Sequence, residues 1–184
     1  MELIGGWVLP AAWAGLGLTI VVCALLASRS SAALTAGIAA VSVLWVVAGA
    51  GANLAMLLDG TTYTGFADGS AIPFVRDTWE SLVVPHHHLF IGLLIAGEAL
   101  AGVLVLVPGR LREGALVALV CFNATLVVFG WAFAIWAVPL VVALVLLLRA
   151  QRAEDPPLRS PRRRPSAGAS SARHRSPRSR VPSP

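Results

Sequence analysis

HHHLFIGLLIAGEALAGVLVLVP, residues His86 to Pro108, is the stretch whose reading decides the fold. Past its three histidines it carries one ionisable side chain, Glu98, near the middle of an otherwise apolar run. As a helix it is roughly 34 Å long at 1.5 Å per residue, enough to cross a hydrocarbon core about 30 Å thick. A carboxyl in hydrocarbon is costly, so it faces protein or water, finds a partner and marks a candidate functional centre. At about 100° per residue, Glu98 shares a face with His87, Ile91, Leu94, Ile95, Ala101, Gly102 and Val105. One stripe therefore joins the mouth of the span to its centre.

Composition extends this reading outward to the whole chain. Hydrophobic residues make up 57% and charged residues 12%, with a mean hydropathy of +0.79, whereas soluble domains carry about a quarter charged residues. The net charge of +5 conceals two opposed regions. Residues 149–184 hold ten Arg against Glu154 and Asp155, while residues 1–148 hold four Arg against seven acids. The basic character thus belongs to the C-terminal stretch, and a bilayer is the solvent for the rest.

These patterns predict an all-α, multi-pass transmembrane bundle over residues 1–150 and a disordered Arg/Pro/Ser-rich tail over 151–184. Five spans are expected, at about 7–27, 32–58, 86–108, 114–129 and 132–149, the last two hinged near Gly130 and Trp131. Four is the alternative, with part of 114–149 re-entering instead of crossing. Within the acidic loop 59–85, residues 73–84 read as an amphipathic helix that lies over the bundle with Trp79 inward. Trp7 and Trp13 are placed at headgroup level, where indole rings concentrate. In the second span, Ala48 with Ala52 and Gly51 with Ala55 put small residues four apart, a spacing that admits a neighbouring helix.

Arg29, Arg110, Arg112 and the Arg-rich tail belong on the cytoplasmic side and the acidic loop outside. Five crossings of a plasma (inner) membrane with the N-terminus outside satisfy every segment. The acid Glu2 and the lack of a basic residue before the first apolar run argue against a secretory signal peptide. In the tail, Arg149, Arg152, Arg162, Arg163 and Arg164 are candidates for contact with anionic lipids. Nucleic acid is a poor third partner, since no binding module stands beside them.

Three groups of residues could carry chemistry. With no Arg, Lys or His in the central part of any span, the partners expected for Glu98 are Asn53, Asn123 and Ser42, giving a polar cluster gathered from three helices. His86, His87 and His88 form a weaker metal or proton-relay candidate. Consecutive imidazoles diverge by about 100° on a helix, so a metal would need Asp59, Asp68 or Tyr63 as well. Cys23 and Cys121 lie singly in apolar runs and read as small buried hydrophobes. No nucleophile elbow, zinc-protease motif or phosphate loop occurs, and nucleophilic catalysis has no support.

The run GLLIAGEALAGVLVLVPGRLREGALVALV, with its Glu-Ala-x-x-Gly core, basic turn and following apolar helix, resembles part of the DoxX-like small membrane proteins. PFVRDTWESLVVPHHHLFIGLLIAGEALAGVLVL and FGWAFAIWAVPLVVALVLLLRA likewise resemble small bacterial integral membrane proteins, so that the likeness covers about residues 73–150. It implies quinone-linked redox chemistry with Glu98 as the residue carried over, whereas the long acidic loop, extra crossing and tail depart from the pattern. The expected function is a non-catalytic membrane component that binds a small lipophilic ligand or a partner subunit around Glu98. The alternatives are a quinone-linked oxidoreductase subunit and, third, a proton-coupled transporter. A homo-oligomer is a further partner that this reading admits.

Overall fold

The computed structural model describes residues 8–154, with side chains from Pro10 onward, and among these the only regular structure is helical. Helix α1 is Val8–Leu26 and α2 is Ser31–Leu58. The short α3, Pro73–Thr78, runs on into a π-helical turn, Trp79–Val83. Then come α4, His87–Leu104; α5, Arg110–Phe129, whose last turn is 3₁₀; and α6, Trp131–Glu154. Helices α2, α4, α5 and α6 are long and apolar enough to cross a membrane, and α1 is a shorter apolar helix.

Local sequence explains the breaks. Ser30 accepts the backbone N–H of Ala33 at 3.3 Å and starts α2 as an N-cap. The chain turns after α4 at Gly109, where φ is +85°. Arg112 folds back there, donating from Nε to the Val105 carbonyl at 2.7 Å and from Nη2 to Leu106 at 3.2 Å. It thereby satisfies carbonyls that the end of α4 leaves unpaired. Gly130, with φ +126°, separates α5 from α6. A Cβ there would overlap the Gly69 carbonyl, so the loop lies directly on the hinge.

Helices α5 and α6 form an antiparallel hairpin whose far ends meet, with Gln151 Nε2 donating to the Gly109 carbonyl at 3.4 Å and Arg152 pairing with Glu113 at 3.2 Å. Helix α1 packs between α2 and α6, and α4 lies on the middle of α2. Arg29 and Arg149 line one cleft at the same end as this pair. At the other end, Ser70 donates to the Val128 carbonyl at 2.6 Å, tying the acidic loop to the hinge. Basic turns and acidic loop thus cap opposite ends of the bundle.

The core is built from Ile20, Leu34, Val41, Leu116, Leu140, Leu144 and Leu147, each 3% exposed or less. Leu18, Leu93, Leu100 and Ile135 are at least 60% exposed on the outside. An apolar exterior on this scale is unfavourable in water and is what a helix bundle presents to lipid; the chain is a membrane-embedded helix bundle.

Several boundaries differ from expectation. Helix α5 starts at Arg110 instead of 114, because Gly109 and Arg112 close the turn and Glu113 sits favourably in the first helical turn. Helix α6 continues to Glu154, so residues 151–154 are helical and not part of a tail; the remaining tail residues, Arg162, Arg163 and Arg164 among them, lie outside the described residues, as does Trp7. Helix α4 ends at Leu104, short of Pro108. Of the small residues spaced four apart, Ala48 is buried in the core, while Gly51, at the end of the π-helical segment Leu44–Gly51, is exposed. Further close approaches are Gly49 to Glu98 and Gly102 to Trp45 and Val46.

A Cβ at Gly102 would stand 2.7 Å from Val46 Cγ2 and 3.2 Å from the Val46 backbone nitrogen, whereas one at Gly97 meets nothing within 4 Å. Gly102→Val is expected to destabilise the bundle by about 1–3 kcal/mol through overpacking. Gly97→Ala should leave stability unchanged or slightly raised. Thermal unfolding of the two variants in one detergent checks the contrast.

Candidate functional site

Glu98 points inward and is 8% exposed. Its neighbours on α4 follow the predicted face: Ile91, Gly102 and Val105 are buried, while Leu93 and Leu100 on the opposite side face out. Asn53, from α2, donates Nδ2 to Glu98 Oε2 at 3.0 Å. The carboxylate lies over Gly49, where a Cβ would come within 3.2 Å of both oxygens. Glycine at that position makes room for the acid, and the π-helical turn aims this part of α2 at α4.

Asn123 is the third predicted member. It is fully buried on α5 and lines the same cavity as Glu98 and Asn53, so the three helices converge as expected, although Asn123 bonds neither. Its Nδ2 donates to the Leu119 carbonyl at 2.8 Å, and its Oδ1 has no partner. Ser42 is buried but outside the cavity wall.

The cavity beside these groups has a volume of about 340 Å³. Its wall is aromatic: Trp13 from α1, Trp45 from α2, Phe90 from α4, Phe122 from α5 and Trp136 from α6, closed at one end by Tyr63, Phe66, Trp79, Phe129 and Phe133. Sequence reasoning found Trp79 as an inward-facing cover and missed the other rings. Trp13, expected at headgroup level, turns toward the bundle interior. Its Nε1 donates to the Ala48 carbonyl at 2.9 Å, inside the π-helical stretch, and its ring lies 5.6 Å from that of Trp136. The available signal was at least one aromatic in each long helix, which hydropathy alone does not separate from packing.

The cover is a folded loop. Phe66 stacks on Trp79 at 4.7 Å and meets Phe129 and Phe133 at 5.3 and 4.9 Å. Tyr63 has φ +61°, a left-handed conformation that costs an aromatic L-residue about 1–2 kcal/mol. Two hydrogen bonds hold it there: Trp79 Nε1 donates to its carbonyl at 2.9 Å, and its hydroxyl donates to the Asn53 carbonyl at 3.1 Å. A chain of contacts therefore runs from Trp79 through Tyr63 and Asn53 to Glu98.

The histidines stand apart from the cavity. His87 Nδ1 lies 2.9 Å from the Val84 carbonyl and its ring lies 4.2 Å from that of His88, while His86 and His88 are exposed. Among the described residues no three His, Cys, Asp or Glu side chains gather closely enough to hold a metal ion. Tyr63, a suggested third ligand, is engaged with Asn53. Cys121 is exposed, contrary to its reading as a buried hydrophobe, because its helix turns that side outward; Cys23 is half-buried. No family model, curated protein or solved structure matches the chain.

Burial, and second the nearby Glu98 carboxylate, hold the Tyr63 hydroxyl above its ordinary pKa of 10.0. The folded state binds this proton more tightly than the unfolded chain, so folding stability contributed by Tyr63 falls as pH rises past the unfolded value. Tyr63 is the chain's single tyrosine, and phenolate absorbance therefore reports it alone. Alkaline titration is expected to show a midpoint above 10.0, lowered in Glu98→Gln and restored to the ordinary value on denaturation.

Proposed function

We propose that this protein is a non-catalytic membrane component that binds a small lipophilic molecule in the cavity beside Glu98. The observation that carries the reading is an aromatic chamber of about 340 Å³ inside the bundle, with a carboxylate and two amides set into its wall. Ligand pockets have this make-up: mostly apolar and aromatic surface with a few placed polar groups that fix orientation. The loop that closes one end is held by specific hydrogen bonds and stacked rings, the organisation of a cover over a binding chamber.

The quinone-linked reading implied by the DoxX-like resemblance is the alternative. A quinone presents carbonyl acceptors, and although Trp13 Nε1, Trp79 Nε1 and the Tyr63 hydroxyl each reach a protein acceptor, the Trp45 and Trp136 indoles line the same wall and bond none among the described residues. Titration with bromobenzene in lipid nanodiscs is expected to quench the cavity tryptophans saturably. Leu94→Phe, which narrows the chamber, should weaken that quenching several-fold, and linear, unsaturable quenching in both proteins would reject the reading.

We further propose five crossings of the plasma membrane, with the acidic loop outside and the basic turns and C-terminal stretch in the cytoplasm, where Arg149 and the tail arginines meet anionic lipid. Helix α1, at 19 residues, reaches about 28 Å at 1.5 Å per residue. Segregation of the basic turns and the acidic loop to opposite ends supports this arrangement. In a background without Cys23 and Cys121, cysteine at Asp68 should react with an impermeant maleimide in intact cells, and cysteine at Arg110 only after permeabilisation.

A further inference from the structure

We infer that the ligand of this cavity is a lipophilic organic cation, a quaternary ammonium or protonated amine with an aromatic or branched apolar body. This rests on the proposal that the cavity binds small lipophilic molecules, and it names their chemical class.

Charge is the first argument. Glu98 is 8% exposed and, among the described residues, has one hydrogen-bond donor, Asn53, and no Arg, Lys or His in the wall of its cavity. A buried carboxylate without a counter-charge is costly, and a cation entering beside it supplies the missing partner. The second argument is the wall itself. Trp13, Trp45, Phe90, Trp79 and Trp136 surround the space, and the faces of such rings attract cations, most strongly those of tryptophan and most effectively where water is excluded. The third is Asn123 Oδ1, a fully buried acceptor with no partner among the described residues, on a side chain that also lines the cavity. It adds a second site of negative potential next to the cavity. Carboxylate, ring faces and orphan carbonyl oxygen all favour the same sign of charge.

The test compares two probes of the same shape that differ in charge. Benzyltrimethylammonium and neopentylbenzene replace one another atom for atom, nitrogen against carbon. Each is titrated into the full chain in nanodiscs of zwitterionic lipid, with tryptophan fluorescence as the readout and free probe concentration corrected for partition into protein-free nanodiscs. The cation is expected to saturate with a Kd at least about tenfold below that of the neutral probe, a difference of about 1.4 kcal/mol. Glu98→Gln should raise the cation's Kd by about tenfold or more and leave the neutral probe's unchanged. The probe comparison in the unmodified protein stands without the variant, so a folding defect in Glu98→Gln does not remove the test. Equal saturable binding of both probes would overturn the cation assignment and keep the lipophilic cavity; saturable binding of neither would overturn both. A folded Glu98→Gln protein with unaltered cation affinity would also reject it.

Discussion

One constraint orders the bundle: a carboxylate at mid-span must find its company inside the protein, because lipid offers none. Asn53 provides the bond at 3.0 Å and Gly49 provides the room. Both sit on α2, which departs from α-helical winding over Leu44–Gly51 as it passes the acid. A π-helical segment widens the turn and re-aims side chains. It also leaves backbone groups to be paired elsewhere, and the Ala48 carbonyl takes the Trp13 indole N–H. The polar centre, the irregular winding and the inward turn of Trp13 are therefore linked consequences of seating Glu98.

The same centre reaches the loop. Tyr63 tolerates a left-handed backbone because its hydroxyl bonds the Asn53 carbonyl and its own carbonyl receives Trp79. Backbone strain of this kind persists where surrounding contacts over-determine the conformation. Here those contacts bind a long acidic connection to the residue that holds Glu98. Ser70 to the Val128 carbonyl, Arg76 Nη1 to the Ser70 carbonyl and the Gly65 N–H to Glu80 Oε1 fix the rest of the cover. The end of the cavity is shaped by folded structure, and Asn53 bonds both Glu98 and the loop's Tyr63.

Much of this was legible in the chain. Hydropathy located the helices to within a few residues, and a single acid in an apolar run marked the centre, with Asn53 and Asn123 as its companions. Helical periodicity placed Ile91, Gly102 and Val105 on the face of Glu98, and that face is buried. The differences lie in local winding and tertiary contact. Of Ala48, Ala52, Gly51 and Ala55, spaced four apart, Ala48 is buried and π winding ends at the exposed Gly51. The direction of Trp13 follows from a carbonyl on another helix, which distance along the span does not display. The aromatic wall draws residues from every long helix and from the loop, and such convergence is a tertiary property that no one segment displays.

Two buried amide oxygens have no partner among the described residues, Asn123 Oδ1 and Gln151 Oε1, and the contrast between them bears on the cavity. Each side chain donates its amide nitrogen to a backbone carbonyl and leaves the oxygen over. An unsatisfied buried acceptor costs about 1–3 kcal/mol, so either would be relieved by a donor able to reach it. Gln151 lies at the packed meeting of α6 with the Gly109 turn, away from the aromatic chamber. Asn123 instead belongs to the chamber wall, on a different helix from Glu98 and with its nitrogen already committed. The negative potential of the Glu98 carboxylate and of the Asn123 oxygen would favour a positive group placed beside this wall, as proposed above. The proposed cation would draw on this polar remainder independently of how much apolar surface it buries.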